Sequence, residues 1–520
     1  QVIAKLRDDL DHRYKLVQPE SSKRIDDRSV TRYRFSHILY QKYLYSHLDV
    51  IERVEAHEHV GNAMEHHYAG AIEEMSLPLA IHFELAGLIE KSMQYYHLAG
   101  ENAFRFSSYE VALAHYEKAL SLLKKLPGSA KRDREELDLL LCKSIPMMLL
   151  HGFASTEMGV LCDQMVLLLK TIPLDVDVFP IFHSISAHYE MRAEHHKALD
   201  LLRQAEQEAL KREEEFYIRV VNWGFGFSNL WLGNLEYAYE NLNKMFEFYD
   251  PQVHHDLRQS YGIDAGMASA IWSSWALWLL GYPEQALKRG QQAIDISTAI
   301  GDPGNQQMAL DLILFLRLLV GKTEGAEDLL NPLGMSLEKS HMPIHNADFV
   351  FLQGFIRVME GDIAVGIEHL SRGLEAYQVC GNRSQLSLRM TILAQAMMKN
   401  GQWDQAAKII SQVEDEIEAT DERFYQAEVL RIKGEHALIN GRINEAETCF
   451  LESLRIAREQ KGKTIELRTA TNLARLWQEH GRSEDAYQVL SEVYGWFTEG
   501  FTMPDLLTAH ALLEDLRGNG

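Results

Sequence analysis

Beyond about residue 75 the apolar residues recur at spacings of three and four, as in LRIKGEHALIN (430–440) and AETCFLESLRIA (446–457). That is the period of an α-helix with one buried face, and the near absence of proline from these stretches predicts unbroken helices. The first seventy residues are patterned differently. Residues 13–18 (RYKLVQ) and 31–36 (TRYRFS) alternate, separated by the polar stretch PESSKRIDDRSV, which predicts a β-hairpin with a solvated loop. Two helical stretches follow it, HILYQKYLYSHL and ERVEAHEHVGNAMEHHY.

The helical pattern repeats. Seven hexapeptides align: GNLEYA from Gly233, GYPEQA from Gly281, GKTEGA from Gly321, GDIAVG from Gly361, GQWDQA from Gly401, GRINEA from Gly441 and GRSEDA from Gly481. From Gly281 onward the step is 40 residues each time, and a small residue stands five positions after every glycine. Glycine lets the chain leave one helix through a left-handed turn, and the small residue lets the next helix approach closely, so each unit is a helix hairpin. Weaker units fall around Ala198 (AEHHKA) and, out of phase, at Gly87 (GLIEKS). The step from Ala238 to Ala286 is 48, which places eight extra residues in FYDPQVHHDLRQSYG and predicts a projecting loop.

This pattern resembles the tetratricopeptide repeat, in which a small residue in the first helix is followed by Ala and then a bulky residue four further on. Gly434, Ala446 and Phe450 match it, as do Gly100, Ala112, Tyr116 and Ala119. The family's usual period is 34, so a period of 40 implies helices longer by about a turn. The fold expected is an all-α tetratricopeptide-like superhelix over residues 71–520, preceded by a winged-helix-like segment over residues 1–70. That segment, with YRFSH at 33–37 leading into a helix carrying Tyr40, Tyr43 and Tyr45, is similar to the winged helix joining the nucleotide-binding module of STAND-class signalling ATPases to a tetratricopeptide sensor. The resemblance implies that His37 senses the phosphate of bound ADP; a buried structural histidine is the alternative.

Composition narrows the chemistry. The chain carries 52 Lys and Arg against 75 Asp and Glu, a net charge of −23, which argues against a nucleic-acid surface because polyanion binding needs clustered cations. No apolar run is long enough for a membrane span, and four widely spaced cysteines fit a reducing cytoplasm rather than a disulfide framework. The start at Gln1, without a signal-peptide pattern, reads as a fragment of a longer polypeptide. Two GK-T strings fail as P-loops: Gly321-Lys322-Thr323 has Leu316, and Gly462-Lys463-Thr464 has Ala457, where the first glycine is required. Any ATP or ADP site therefore lies in an upstream module, with no cofactor in this chain. The pairs His57/His59, His66/His67, His195/His196 and His254/His255 have no metal-ligand spacing, since adjacent helical residues point about 100° apart. No GxSxG or other catalytic constellation is present, so no enzyme is expected.

In the family, positions 5, 9, 12 and 13 of each first helix line the concave groove. Counted back from the small residues, these positions hold Trp223, Phe227 and Trp231, then Trp275 and Trp278, then Phe315, then Phe351 and Phe355. Trp272 falls on the core side. Further along, the positions turn polar: Arg431 and Glu435, then Arg475 and Glu479. His183 and Asp311 flank the aromatic run and could orient a polar ligand. Rigid rings with arginine in a concave cleft are what binding hot spots use; the alternative is that long helices bury these rings against adjacent repeats. The resemblance implies a cytoplasmic, non-catalytic sensor that takes a protein or peptide partner, or a small-molecule inducer, in its groove. Such a sensor controls an upstream nucleotide-binding domain whose output can be transcription regulation. A freestanding tetratricopeptide scaffold or peptide receptor is the alternative.

Overall fold

The computed structural model describes residues 5–25, 28–172, 178–254, 262–337 and 343–518. The chain divides into two compact units, one formed by Gln1–Met147 with Lys170–Ile172 and the other by Met148–Leu169 with Pro173–Gly520.

The first unit opens with a π-helical segment, Lys5–Arg13, and an antiparallel hairpin of β1 (Val17–Ile25) and β2 (Arg28–Phe35). Its register pairs Val17 with Phe35 and Ile25 with Arg28, with an irregularity between Pro19 and Ser21. The strands are thus longer than the alternation predicts. The polar stretch expected as a loop is strand over residues 19–25 and 28–30, because backbone pairing does not require an apolar face; Asp26 and Asp27 lie outside the described residues. Helices Ile38–His47 and Val50–His67 follow, the second opened by a reciprocal capping box of Asp49 and Glu52. Two hairpin helices, Ile89–Arg105 and Tyr109–Leu123, carry the repeat signature. A Cβ on Gly100 would lie 2.5 Å from the Tyr116 ring, and a Cβ on Gly434 equally close to Phe450, so in both places the glycine exists to seat the bulky residue of the next helix.

The second unit is an all-α solenoid of helix hairpins. Among the described residues nine helices form its inner series: α1 (Phe179–Met191), α2 (Glu215–Trp231), α3 (Ala265–Leu279), α4 (Pro303–Leu319), α5 (Pro343–Glu360), α6 (Leu386–Lys399), α7 (Gln426–Ile439), α8 (Lys463–Glu479) and α9 (Pro504–Gly518). Each of the seven hexapeptide glycines ends a helix with positive φ, between +70° and +97°. The same turn is present in the weaker units, at Gly87 (φ 74°) and at Ala193 (φ 57°), which holds the glycine's place, and Ser107 (φ 55°) makes it before the Ala112 helix. Of the predicted insertion loop, residues 255–261 lie outside the described residues; what precedes them is a single short helix, Pro251–His254.

The solenoid completes a superhelical turn every five hairpins, and consecutive turns meet end to end. The Met191 carbonyl at the end of α1 accepts from Arg383 N (2.9 Å) and Ser384 N (3.2 Å) just before α6. The Trp231 carbonyl ending α2 accepts from Phe424 N (3.1 Å) just before α7. Near the end of α3 the Trp278 carbonyl accepts from Thr464 Oγ1 in the first turn of α8, 186 residues on. At the end of α4 a Cβ on Gly321 would lie 2.8 Å from Pro504, which opens α9. Last-turn carbonyls lack their full set of partners within the helix, and here they are met by groups at the N-terminal ends of helices one turn further along. Glu499 caps the helix Pro283–Ile300 in the same way, accepting from Glu284 N (2.8 Å) and Gln285 N (3.1 Å), while Gly500 N donates to Glu284 (3.0 Å).

Candidate functional site

The aromatic residues singled out by repeat position do assemble in space. Ring centroids connect Phe227 to Trp231 (5.7 Å), Trp231 to Trp275 (5.9 Å), Trp275 to Trp278 (6.3 Å) and to Phe315 (5.5 Å), and Phe315 to Phe351 (5.7 Å) and Phe355 (6.1 Å). The row is interior, however. Trp223, Phe227, Trp231, Trp275, Trp278, Phe315 and Phe351 are all buried, so they do not form an open groove wall. Two kinds of neighbour cover the row: the adjacent repeat, as where Arg389 of α6 lies over Phe315 (5.2 Å) and Phe351 (5.8 Å), and the second superhelical turn, where Phe424 stands edge-on to Trp231 at 4.7 Å and Arg468 lies over Trp278 at 5.8 Å. Only Phe355, at the end of the row, is half-exposed.

The two polar flanking residues are likewise interior or set apart. Asp311 is buried and accepts from His345 Nδ1 at 2.7 Å; desolvation lifts its pKa to about 6, with the His345 bond opposing. His183 is half-buried against the Trp223 ring (4.8 Å), the two lining a niche of about 20 Å³ with Glu190. Desolvation pushes Glu190 up to about 8 despite the bond donated by Ser228 Oγ (3.0 Å), so this carboxyl is neutral at pH 7. His37 is exposed rather than buried and serves as N-cap of Ile38–His47, its Nδ1 accepting from Leu39 N at 3.1 Å. Gly321-Lys322-Thr323 lies in the turn after α4 and Gly462-Lys463-Thr464 opens α8, and His195 is a buried partner of Glu422 (3.1 Å).

What the inner helices leave open is a cleft of about 800 Å³ across α4 to α9, and five residues of the sequence-derived set line it: Phe355, Arg431, Glu435, Arg475 and Glu479. Its floor is a closed ionic network. Arg431 donates to Glu428 through Nε (2.9 Å) and Nη2 (2.8 Å), and to Glu435 through Nη1 (2.6 Å). Arg468 donates to Asp505 (2.7 Å) and to the Leu319 carbonyl (2.9 Å), with Glu428 at 3.6 Å. Asn472 donates to Glu435 (2.6 Å). Burial would raise Glu428, but the charge and hydrogen bonds of Arg431, the charge of Arg468 and the hydrogen bond from Gln395 outweigh it and hold the carboxyl below its ordinary range. The paired guanidiniums of Arg431 and Arg468 are held above theirs against the same desolvation, so the network stays ionised at neutral pH.

Above that floor the wall is apolar, with Phe355, Met359, Trp403, Leu438 and Ile439 facing the cleft; Ile439 is 49% exposed. Repeat counting located Arg431, Glu435, Arg475 and Glu479 but missed Glu428 and Arg468, which stand about one or two turns earlier on the same two helices. Asp505 lies outside the repeated hexapeptides and carried no sequence signal.

No protein-family model matches the chain, and no curated protein matches it. Among solved structures it is similar to Rap protein complexed with competence and sporulation factor, with TM-score 0.37 and 10% identity over 82% of this chain and 98% of that one. It is also similar to the APC/C hetero-tetramer Cut9–Hcn1, with TM-score 0.41 and 13% identity over 82% of this chain and 92% of that one. The assignment as a solenoid of tetratricopeptide-like hairpins rests on the turns and helix packing described above. Among the described residues no helix is long and apolar enough to cross a membrane.

Proposed function

We propose that this chain is a non-catalytic interaction and sensing domain whose cleft receives a segment of a protein or peptide partner. The observation that carries this is the cleft itself: a preformed concavity in which a rigid, internally satisfied ionic floor faces exposed apolar side chains. Small-molecule pockets close around most of a ligand's surface with few polar groups, whereas this cleft runs across six inner helices and carries eight charged side chains. An extended segment suits that geometry better than a compact inducer.

The finer reading is that the domain belongs to a STAND-type signalling protein in a cytoplasmic setting. Partner binding would then bias an upstream ADP-closed to ATP-open equilibrium by preferring one state. The winged-helix resemblance of residues 1–70 and the place of His37 directly after the hairpin support it. Two measurements test the proposal. Ile439→Asp should abolish peptide binding with unchanged far-UV circular dichroism; retained binding refutes the cleft as the site. In a protein extended by a nucleotide-binding module, His37→Ala should speed ADP release, and an unchanged rate removes the nucleotide-sensing role.

A further inference from the structure

The cleft's charges are not all spoken for, and those left over define what the occupant must carry. Four cations (Lys399, Arg431, Arg468, Arg475) and four anions (Glu428, Glu435, Glu479, Asp505) line it. This even balance stands out in a chain of net charge −23. Arg431 and Arg468 are saturated by Glu428, Glu435 and Asp505, as the bonds above show. Among the described residues, Lys399 at the end of α6 and Arg475 on α8 have neither an ion pair nor a hydrogen bond. Both are exposed, and of the anions only Glu479 is similarly uncommitted. The floor cannot neutralise them because its carboxylates are already chelated, so the surface offered to an incoming segment is locally positive, bordered by Ile439, Leu438 and Trp403.

We infer that the cleft selects a peptide segment bearing an acidic side chain beside apolar ones, the carboxylate taken by Lys399 and Arg475 and the apolar residues by the Ile439 wall. This deepens the peptide-binding reading above and rests on it. Guanidinium and ammonium groups facing a carboxylate over apolar surface make charge-assisted bonds stronger than those between neutral groups. The net charge of −23 disfavours acidic partners over the chain as a whole, so uncommitted cations in the cleft add selectivity for the docking site.

The test pans a random-sequence peptide display library on the full chain, then measures the recovered consensus as a fluorescein-labelled synthetic peptide by anisotropy. Expected are Asp or Glu adjoining apolar residues in the consensus, a loss of about tenfold in affinity on replacing that acid by its amide, and a similar loss with Lys399→Glu/Arg475→Glu. The double variant should bind the acid and amide peptides equally. Both substitutions are at exposed positions, and circular dichroism checks that the fold is kept. A consensus without an acidic residue, or equal binding of the acidic peptide to both proteins, overturns the acid-recognition inference. If Ile439→Asp still abolishes binding in that case, the peptide-cleft reading survives. Recovery of no peptide, or binding indifferent to Ile439→Asp, sinks both.

Discussion

Replacing Trp231 separates a packed interior from a ligand-facing groove, because the two arrangements give opposite results. Trp231 is fully buried, with Phe227, Trp272, Trp275 and Phe424 edge-on to it at 4.7 to 5.9 Å. Burying roughly 150–250 Å² of indole at about 25 cal/mol/Å² corresponds to about 4–6 kcal/mol. Measured truncations of this kind cost about 3–5 kcal/mol once the surroundings partly relax, and that is the loss expected for Trp231→Ala. Trp231→Phe should behave differently. It keeps a ring against the same neighbours and leaves a void costing about 1 kcal/mol. It also removes an indole N–H that is buried without an acceptor, which offsets a cost of similar size. Its stability should therefore stay within about 1 kcal/mol of the parent.

The assay is urea denaturation followed by far-UV circular dichroism, with hydrogen exchange resolving where protection is lost. Trp231 ends α2 and Phe424 precedes α7, so the Ala variant should lose protection at the start of α7 as well as in α2, although the two are far apart in sequence. A Trp231→Ala variant with parental stability and weakened peptide binding would refute the packing account and restore the ring to an open groove.

Two further perturbations probe the same framework. Gly281→Ala and Gly401→Ala both place a side chain at positive φ (+96° and +75°), but only at Gly281 would the new Cβ meet another superhelical turn, 2.7 Å from Lys463 Cβ. Gly401→Ala should lower stability by about 1–2 kcal/mol and Gly281→Ala by clearly more; equal midpoints in urea would mean the turns do not touch there. Glu190, raised to about 8 in the folded chain, binds a proton that the unfolded chain releases at lower pH. Its contribution to stability should therefore decline as pH rises from the ordinary glutamate range toward about 8, and Glu190→Gln should flatten that decline. An identical pH–stability profile in the variant would show that the carboxyl is hydrated.

The hairpin architecture was legible in the sequence because its causes are local. A glycine at each left-handed turn, a small residue at each helix crossing and an apolar face of period 3.6 are all contained within forty residues, and the glycines predicted to turn the chain do so. The partial failures have local causes too. Ala193 makes the same turn without glycine, so the unit around Ala198 is weak as a pattern though regular as structure. The β-hairpin was found, but its strand limits were not, since paired polar residues give no alternation to read.

Site legibility split along a different line. Repeat position grouped aromatic residues whose rings lie together in the structure, and Phe355, Arg431 and Arg475 from the same count line the cleft. It could not say that a second turn of the superhelix covers most of that surface. Whether an indole at an inner position faces solvent or Phe424 depends on pitch, and pitch is set by small rotations accumulated over five hairpins rather than by any residue within one. The same holds for which arginines remain unpaired: Arg431 and Arg475 both line the cleft from neighbouring helices, yet only Arg431 is bonded by carboxylates of its own helix, Glu428 and Glu435. Sequence alone therefore settled the repeating unit, its turns and its inward-facing residues. The tertiary winding decided which of those residues are core and which are surface, because burial is a property of the neighbours brought in from 186 residues away.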